Sequence, residues 1–108
     1  MEALEYVDRA MNVTGRNPAL LDTRGTILLN AGKNQQAVAC LEEATAGRVV
    51  DPRYYLHLAL AYQRAAQDAN ARESLQVSRE LGLDKAILTE GDREQLAALD
   101  KELLVNSK

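Results

Sequence analysis

The chain has 108 residues, 46% of them apolar, and a formal net charge of −3. That is one domain's worth of core, too apolar for a disordered tail and without the run of about 18 apolar residues that a membrane-spanning helix needs. Its basic residues stand singly among acids, which argues against a nucleic-acid surface.

The first predicted helix runs from about residue 2 to residue 13, with Leu4, Val7, Ala10 and Met11 on one stripe. Gly15 and Asn17-Pro18 end it and open the next, because Asn caps a helix and Pro suits its first turn. The second helix runs from Pro18 to Ala31 and is closed by Gly32; the third starts near Asn34 and carries Ala37, Val38, Leu41 and Ala44 to Gly47. Asp51-Pro52 repeats the cap-plus-proline device and opens a fourth helix with Tyr55, Leu58, Ala59, Tyr62 and Ala65. A fifth begins at about Asp68, carries Ala71, Leu75 and Ser78, and ends at Leu81-Gly82. Residues 83–91 read as a connection with room for one helical turn. The last helix is expected from Asp92 to Leu104, with Leu96, Leu99 and Leu103 on one face and Asp92 with Gln95 as a capping box. Asn106-Ser107-Lys108 is expected to fray.

The second and third helices recur as the fourth and fifth. Pro18 returns as Pro52, 34 residues on, and at the same shift Leu21 meets Tyr55, Gly25 meets Ala59, Leu28 meets Tyr62, Ala37 meets Ala71, Leu41 meets Leu75 and Ala44 meets Ser78. Packing positions persist while the positions between them drift. Such a unit is structural and is built to stack on copies of itself.

These residues resemble the tetratricopeptide (TPR) repeat, in which a helix A with a large-small-large face precedes a helix B with Ala, a large residue and Ala. The resemblance implies an all-α, right-handed solenoid of antiparallel hairpins. It assigns 2–16 as an orphan helix B, 18–51 and 52–85 as full repeats, and 91–105 as a capping helix. The opening helix carries Ala3, Val7 and Ala10 one repeat before Ala37, Leu41 and Ala44. The last has Arg93 at the small position, which suits a cap better than a third repeat. Arg24 stands where the pattern has Leu, and Ala66 where the first copy has the turn residue Gly32. The simplest account is a C-terminal segment of a longer repeat protein, in a style like bacterial multi-repeat members. The lack of a basic leader then says nothing of whether the compartment is cytoplasmic or periplasmic.

The resemblance implies a non-enzymatic module that binds a peptide or partner helix in the groove of its A helices. The groove positions carried over are Ala19, Asp22, Thr26, Leu29 and Asn30, then Arg53, Leu56, Leu60, Gln63 and Arg64. Leu56 and Leu60 form either an apolar floor, with Arg53 and Arg64 selecting an acidic group, or part of the core. Asp22 and Thr26 without a matching Lys disfavour the carboxylate clamp found in some family members. His57 is the single histidine and Cys40 the single cysteine. One of each builds neither a metal site nor a nucleophilic triad, so no cofactor, metal or catalytic set is expected. Cys40 reads as a packing residue, and His57 as a groove edge or a helix contact. The partner is expected to be another protein or a peptide, with no nucleic acid and no membrane insertion. The alternative is self-association as a homo-oligomer, through the groove or through Leu4, Val7 and Met11 of the opening helix.

Overall fold

Two helix-starting devices set the frame. Asn17 accepts a hydrogen bond from the Leu20 N–H at 3.0 Å and Asp51 accepts one from the Arg53 N–H at 2.9 Å, each just before a proline that needs no N–H partner. In the computed structural model, which describes residues 2–105, the chain forms α1 (Glu2–Thr14), α2 (Pro18–Asn30), α3 (Asn34–Ala44), α4 (Pro52–Arg64), α5 (Asp68–Glu80), a 3-10 turn (Leu83–Lys85) and α6 (Glu90–Val105). The side chains are described through residue 103. No strand occurs among the described residues. The expected fraying of residues 106–108 lies outside them. The last helix begins earlier than its sequence suggests, because Thr89 and not Asp92 is the cap: its Oγ1 accepts the Asp92 N–H at 3.0 Å.

Helices α2 with α3 and α4 with α5 form hairpins, α3 packs on α4, and α6 lies against α4 and α5. The result is a TPR-like stack with extents of 45 × 27 × 24 Å. Both hairpin turns use the same device. Lys33 N–H reaches the Leu28 carbonyl and Gln67 N–H the Tyr62 carbonyl, with Gly32 and Ala66 in the left-handed region at φ 77° and 61°. Glycine enters that region freely, whereas alanine costs about 1 kcal/mol there.

The hairpins close at their small residues. A Cβ added to Gly25 would lie 2.5 Å from Leu41 Cγ, so α2 and α3 touch where side chains would hold them apart. One repeat later Ala59 is fully buried beside the equally buried Leu75. Ser78, at an Ala position, tolerates full burial because its hydroxyl donates to the Leu75 carbonyl at 2.6 Å. Arg24 lies along the α1–α2 seam, where it donates to Asp8 at 3.0 Å and to Cys40 Sγ at 3.0 Å. Cys40 is accordingly a buried packing residue.

Two apolar clusters result. The larger runs from Leu28 and Leu29 through Leu56, Leu58 and Leu60 to Leu99 and Leu103; the smaller joins Val7, Met11, Leu21 and Ala44. Val7 and Met11 are therefore buried, and Leu4 packs against the larger core. The open apolar side expected on α1 at Leu4, Val7 and Met11 is not there. Those residues face the first full hairpin, which needs them to cover Leu21 and Ala44.

Ala66→Gly should raise stability by about 1 kcal/mol, read as a Tm increase of roughly 4–8 °C for a domain of this size. Gly25→Ala should do the opposite. Its helix-propensity gain of about 1 kcal/mol is outweighed by overpacking of about 1–3 kcal/mol against Leu41, so the urea midpoint should fall.

Candidate functional site

Stacking the hairpins lays α2, α4 and α6 side by side in the same direction. Asp22 in α2 meets His57 in α4, which meets Asp92 in α6, and farther along Gln63 of α4 donates to Glu102 of α6 at 2.6 Å. His57 stands 35 residues from each of its partners, one more than the repeat length, so three successive parallel helices each contribute one polar residue at nearly the same level. Asp22 and His57 both lie one to two turns inside their caps, Asn17 and Asp51, while Asp92 lies three residues after Thr89.

The geometry is that of a charge-assisted bridge. His57 Nδ1 is 2.7 Å from Asp22 Oδ1 and Nε2 is 2.9 Å from Asp92 Oδ1. All three side chains are only 12–13% exposed. Carboxylates accept at both ring nitrogens, which suits the imidazolium with a proton on each. Burial pushes the His57 pKa down, but the hydrogen bonds and charges of Asp22 and Asp92 outweigh it and raise the pKa from 6.5 to about 8. With two carboxylates and one imidazolium, the cluster retains one negative charge. Nearby, Arg53 holds the Asp51 carboxyl below its usual range, chiefly by their hydrogen bond, with the charge of His57 adding to the effect. Burial, then the charges of Asp22 and Asp51, push the Tyr54 hydroxyl up.

A hollow of about 290 Å³ opens beside this bridge. Asp22, Thr26, Leu29 and Asn30 of α2 line one wall, His57 and Leu60 of α4 the floor, and Thr89, Gly91, Asp92 and Gln95 the wall made by the start of α6. Five of the expected groove residues thus come together: Asp22, Thr26, Leu29, Asn30 and Leu60. The other five do not. Leu56 is fully buried in the core, and Leu60 at 6% exposure shows the hollow only an edge. Of the two readings of this pair, core packing is the one the burial supports. Arg53 is engaged with Asp51 and lines a separate hollow with Val49, Val50 and Ile87. Gln63 is bonded to Glu102, and Arg64 is exposed and does not line the hollow. Ala19 is likewise exposed and away from it.

His57, Thr89, Gly91, Asp92 and Gln95 are the lining residues that the carried-over positions omit. The spacing of Asp22, His57 and Asp92 is a signal for the bridge, but one that departs from the repeat by a single residue. Among the described residues no group of three or more His, Cys, Asp or Glu is arranged to hold a metal ion, and no helix is long and apolar enough to cross a membrane.

No family model matches the chain, and no solved structure matches it. Among curated proteins, the TPR repeat-containing thioredoxin TTL4 of Arabidopsis thaliana is 35% identical to it over 106 residues, which cover 94% of this chain. The chain spans 14% of the length of that relative. The match supports a TPR-like family, as do the 34-residue register and the all-helical stack.

The His57 bridge gives stability a definite pH dependence. The folded pKa of about 8 lies above the ordinary value of 6.5, so the stabilisation is complete below pH 6.5 and is lost as pH rises through 8. The loss should be about 2 kcal/mol. Urea midpoints measured from pH 6 to pH 9.5 should fall across this window, and the fall should vanish in His57→Gln.

Proposed function

We propose that this chain is a non-enzymatic binding module whose concave face, formed by α2, α4 and the start of α6, receives an extended segment of another protein. The carrying observation is the hollow where the three helices converge, with Asp22, Thr26, Asn30 and Gln95 on its walls and Leu29 and Leu60 beneath. A site of this kind offers hydrogen-bonding groups over an apolar base, which is how polypeptide segments are held on preformed surfaces. The reading also draws on the TPR-like match, and it treats 18–51 and 52–85 as the two full repeats, 2–16 as the helix B of another and 91–105 as the cap. The Arabidopsis relative is named a thioredoxin; this chain, with one buried cysteine, supplies no dithiol pair, and its part is taken to be binding.

The partner selection expected from the arginines changes accordingly. Arg53 is already paired with Asp51, so the hollow presents carboxylates, a hydroxyl and amides where an acidic group was expected to dock. Thr26 is partly exposed, borders the hollow and donates its hydroxyl to the Thr23 carbonyl within its own helix.

Peptides selected from a random display library against this protein should lose about tenfold or more in affinity, near 1.4 kcal/mol, when Thr26→Arg fills the hollow. The circular-dichroism spectrum and Tm should remain those of the parent. Selected peptides whose affinity is indifferent to Thr26→Arg and to Asn30→Arg would remove the concave face from the reading.

A further inference from the structure

The hollow between α2, α4 and α6 is one-sided in charge. Of the ten residues around it, Asp22 and Asp92 are acidic, His57 is held between them, and none is a lysine or an arginine. The three side chains sum to a negative charge whether or not His57 carries its second proton. His57 engages one oxygen of each carboxylate, Oδ1 of Asp22 and Oδ1 of Asp92. The other oxygen of each has no hydrogen-bond partner among the described residues, and neither is shut off from solvent. Both side chains are only 13% exposed and border the hollow, so the open oxygens are presented there. The amides of Asn30 and Gln95 border the same space and are likewise without a partner among the described residues. No arginine of these three helices offsets the charge. Arg24, Arg53 and Arg93 are bonded to Asp8, Asp51 and the Leu88 carbonyl, and Arg64 does not border the hollow. Carboxylates withdrawn from bulk water are costly without a countercharge, and their field is weakly screened by salt.

Building on the concave face as the binding groove, we infer that its hollow receives a lysine side chain of the partner segment. The ammonium donates to the open oxygens of Asp22 and Asp92, and the stem lies on Leu29 and Leu60, which are 3% and 6% exposed. Lysine suits the place better than arginine. Its ammonium is a compact charge with three donors that turn freely, and the acceptors here stand on separate helices. The planar fork of arginine matches the two oxygens of one carboxylate, and each of these carboxylates has already given one oxygen to His57. An acidic side chain would meet two carboxylates and is rejected. At about 290 Å³ the hollow lies at the small end of ligand sites, the right scale for one long side chain and too small for a folded element.

The probe is a pool of short, end-blocked peptides of uncharged residues, each carrying a single lysine or, in its twin, a glutamine at that place. Retained peptides are identified by mass spectrometry and titrated by calorimetry. The lysine peptides should bind about tenfold or more tightly than their glutamine twins at low salt, and the advantage should shrink as salt rises. Asp22→Asn should remove the advantage and leave the affinity for the glutamine twin near that of the parent. Glu5→Gln removes the same charge from the exposed surface of α1 and should leave the advantage intact. A second measurement needs no variant: carbodiimide joins a lysine amine to a carboxylate it touches, forming an amide with loss of water. On the unaltered protein the peptide lysine should be found joined to Asp22 or Asp92. Joining to other acids only, or a lysine preference lost equally with Glu5→Gln, places the lysine elsewhere on the surface and overturns the assignment. Lysine and glutamine peptides of equal affinity that are both weakened by Asn30→Arg also overturn it, and leave the groove standing. Retention of neither kind, or binding indifferent to both Thr26→Arg and Asn30→Arg, overturns the lysine site together with the groove.

Discussion

Two helices can lie close enough to share a core only where one of them has almost no side chain, and the approach of Gly25 to Leu41 is that place in the first hairpin. Everything larger follows from it. Close contact at Gly25, repeated at Ala59, draws each helix A onto its helix B over its whole length, so that Leu21, Leu28, Leu41 and Ala44 are excluded from water together. A hairpin of this size still has an uncovered side, and that side is what the next hairpin buries. Stability therefore accumulates by stacking, with each neighbour contributing apolar burial of about 1.5–3 kcal/mol for every large side chain enclosed.

The stack dictates the concave face. Because each hairpin advances by nearly one repeat, helices of the same type come to lie parallel, and a residue at a given level of one is set beside a residue at that level of the next. Asp22, His57 and Asp92 meet for this reason, and α6 is thereby tied to α4 by more than its leucines. A buried imidazolium between two carboxylates is favourable only while all three remain in place, since each leaves the others without compensation for lost hydration. The bridge consequently couples the position of α6 to the shape of the adjoining hollow. The residues that furnish that hollow and those that hold it open are partly the same.

The two ends of the stack differ in kind. At α6 the small position of the repeat is filled by Arg93, an exposed charge. At α1 the corresponding face keeps its alanines and adds Tyr6 and Val13 in the open.

The helices, their caps and their pairing were legible in the sequence because each rests on local chemistry: Asn17-Pro18 and Asp51-Pro52 start helices whatever surrounds them, and a 34-residue register of small and large residues specifies which faces meet. Even the anomalies were visible as such, with Ala66 in place of a turn glycine and Arg24 in place of a leucine. Which face of α4 looks into the groove was not legible. Leu56 and His57 are neighbours, and a helix turned by about 100° per residue exchanges one for the other; only the packing of α6 across α4 decided that Leu56 went to the core and His57 to the bridge. The same holds for the open side of α1, where Val7 and Ala10 belong to adjoining stripes. Periodicity identifies stripes of apolar residues, but which stripe is covered depends on the neighbours that the folded chain brings to it. Charges follow the same rule, since Arg53 became unavailable to a ligand once Asp51 capped its helix beside it.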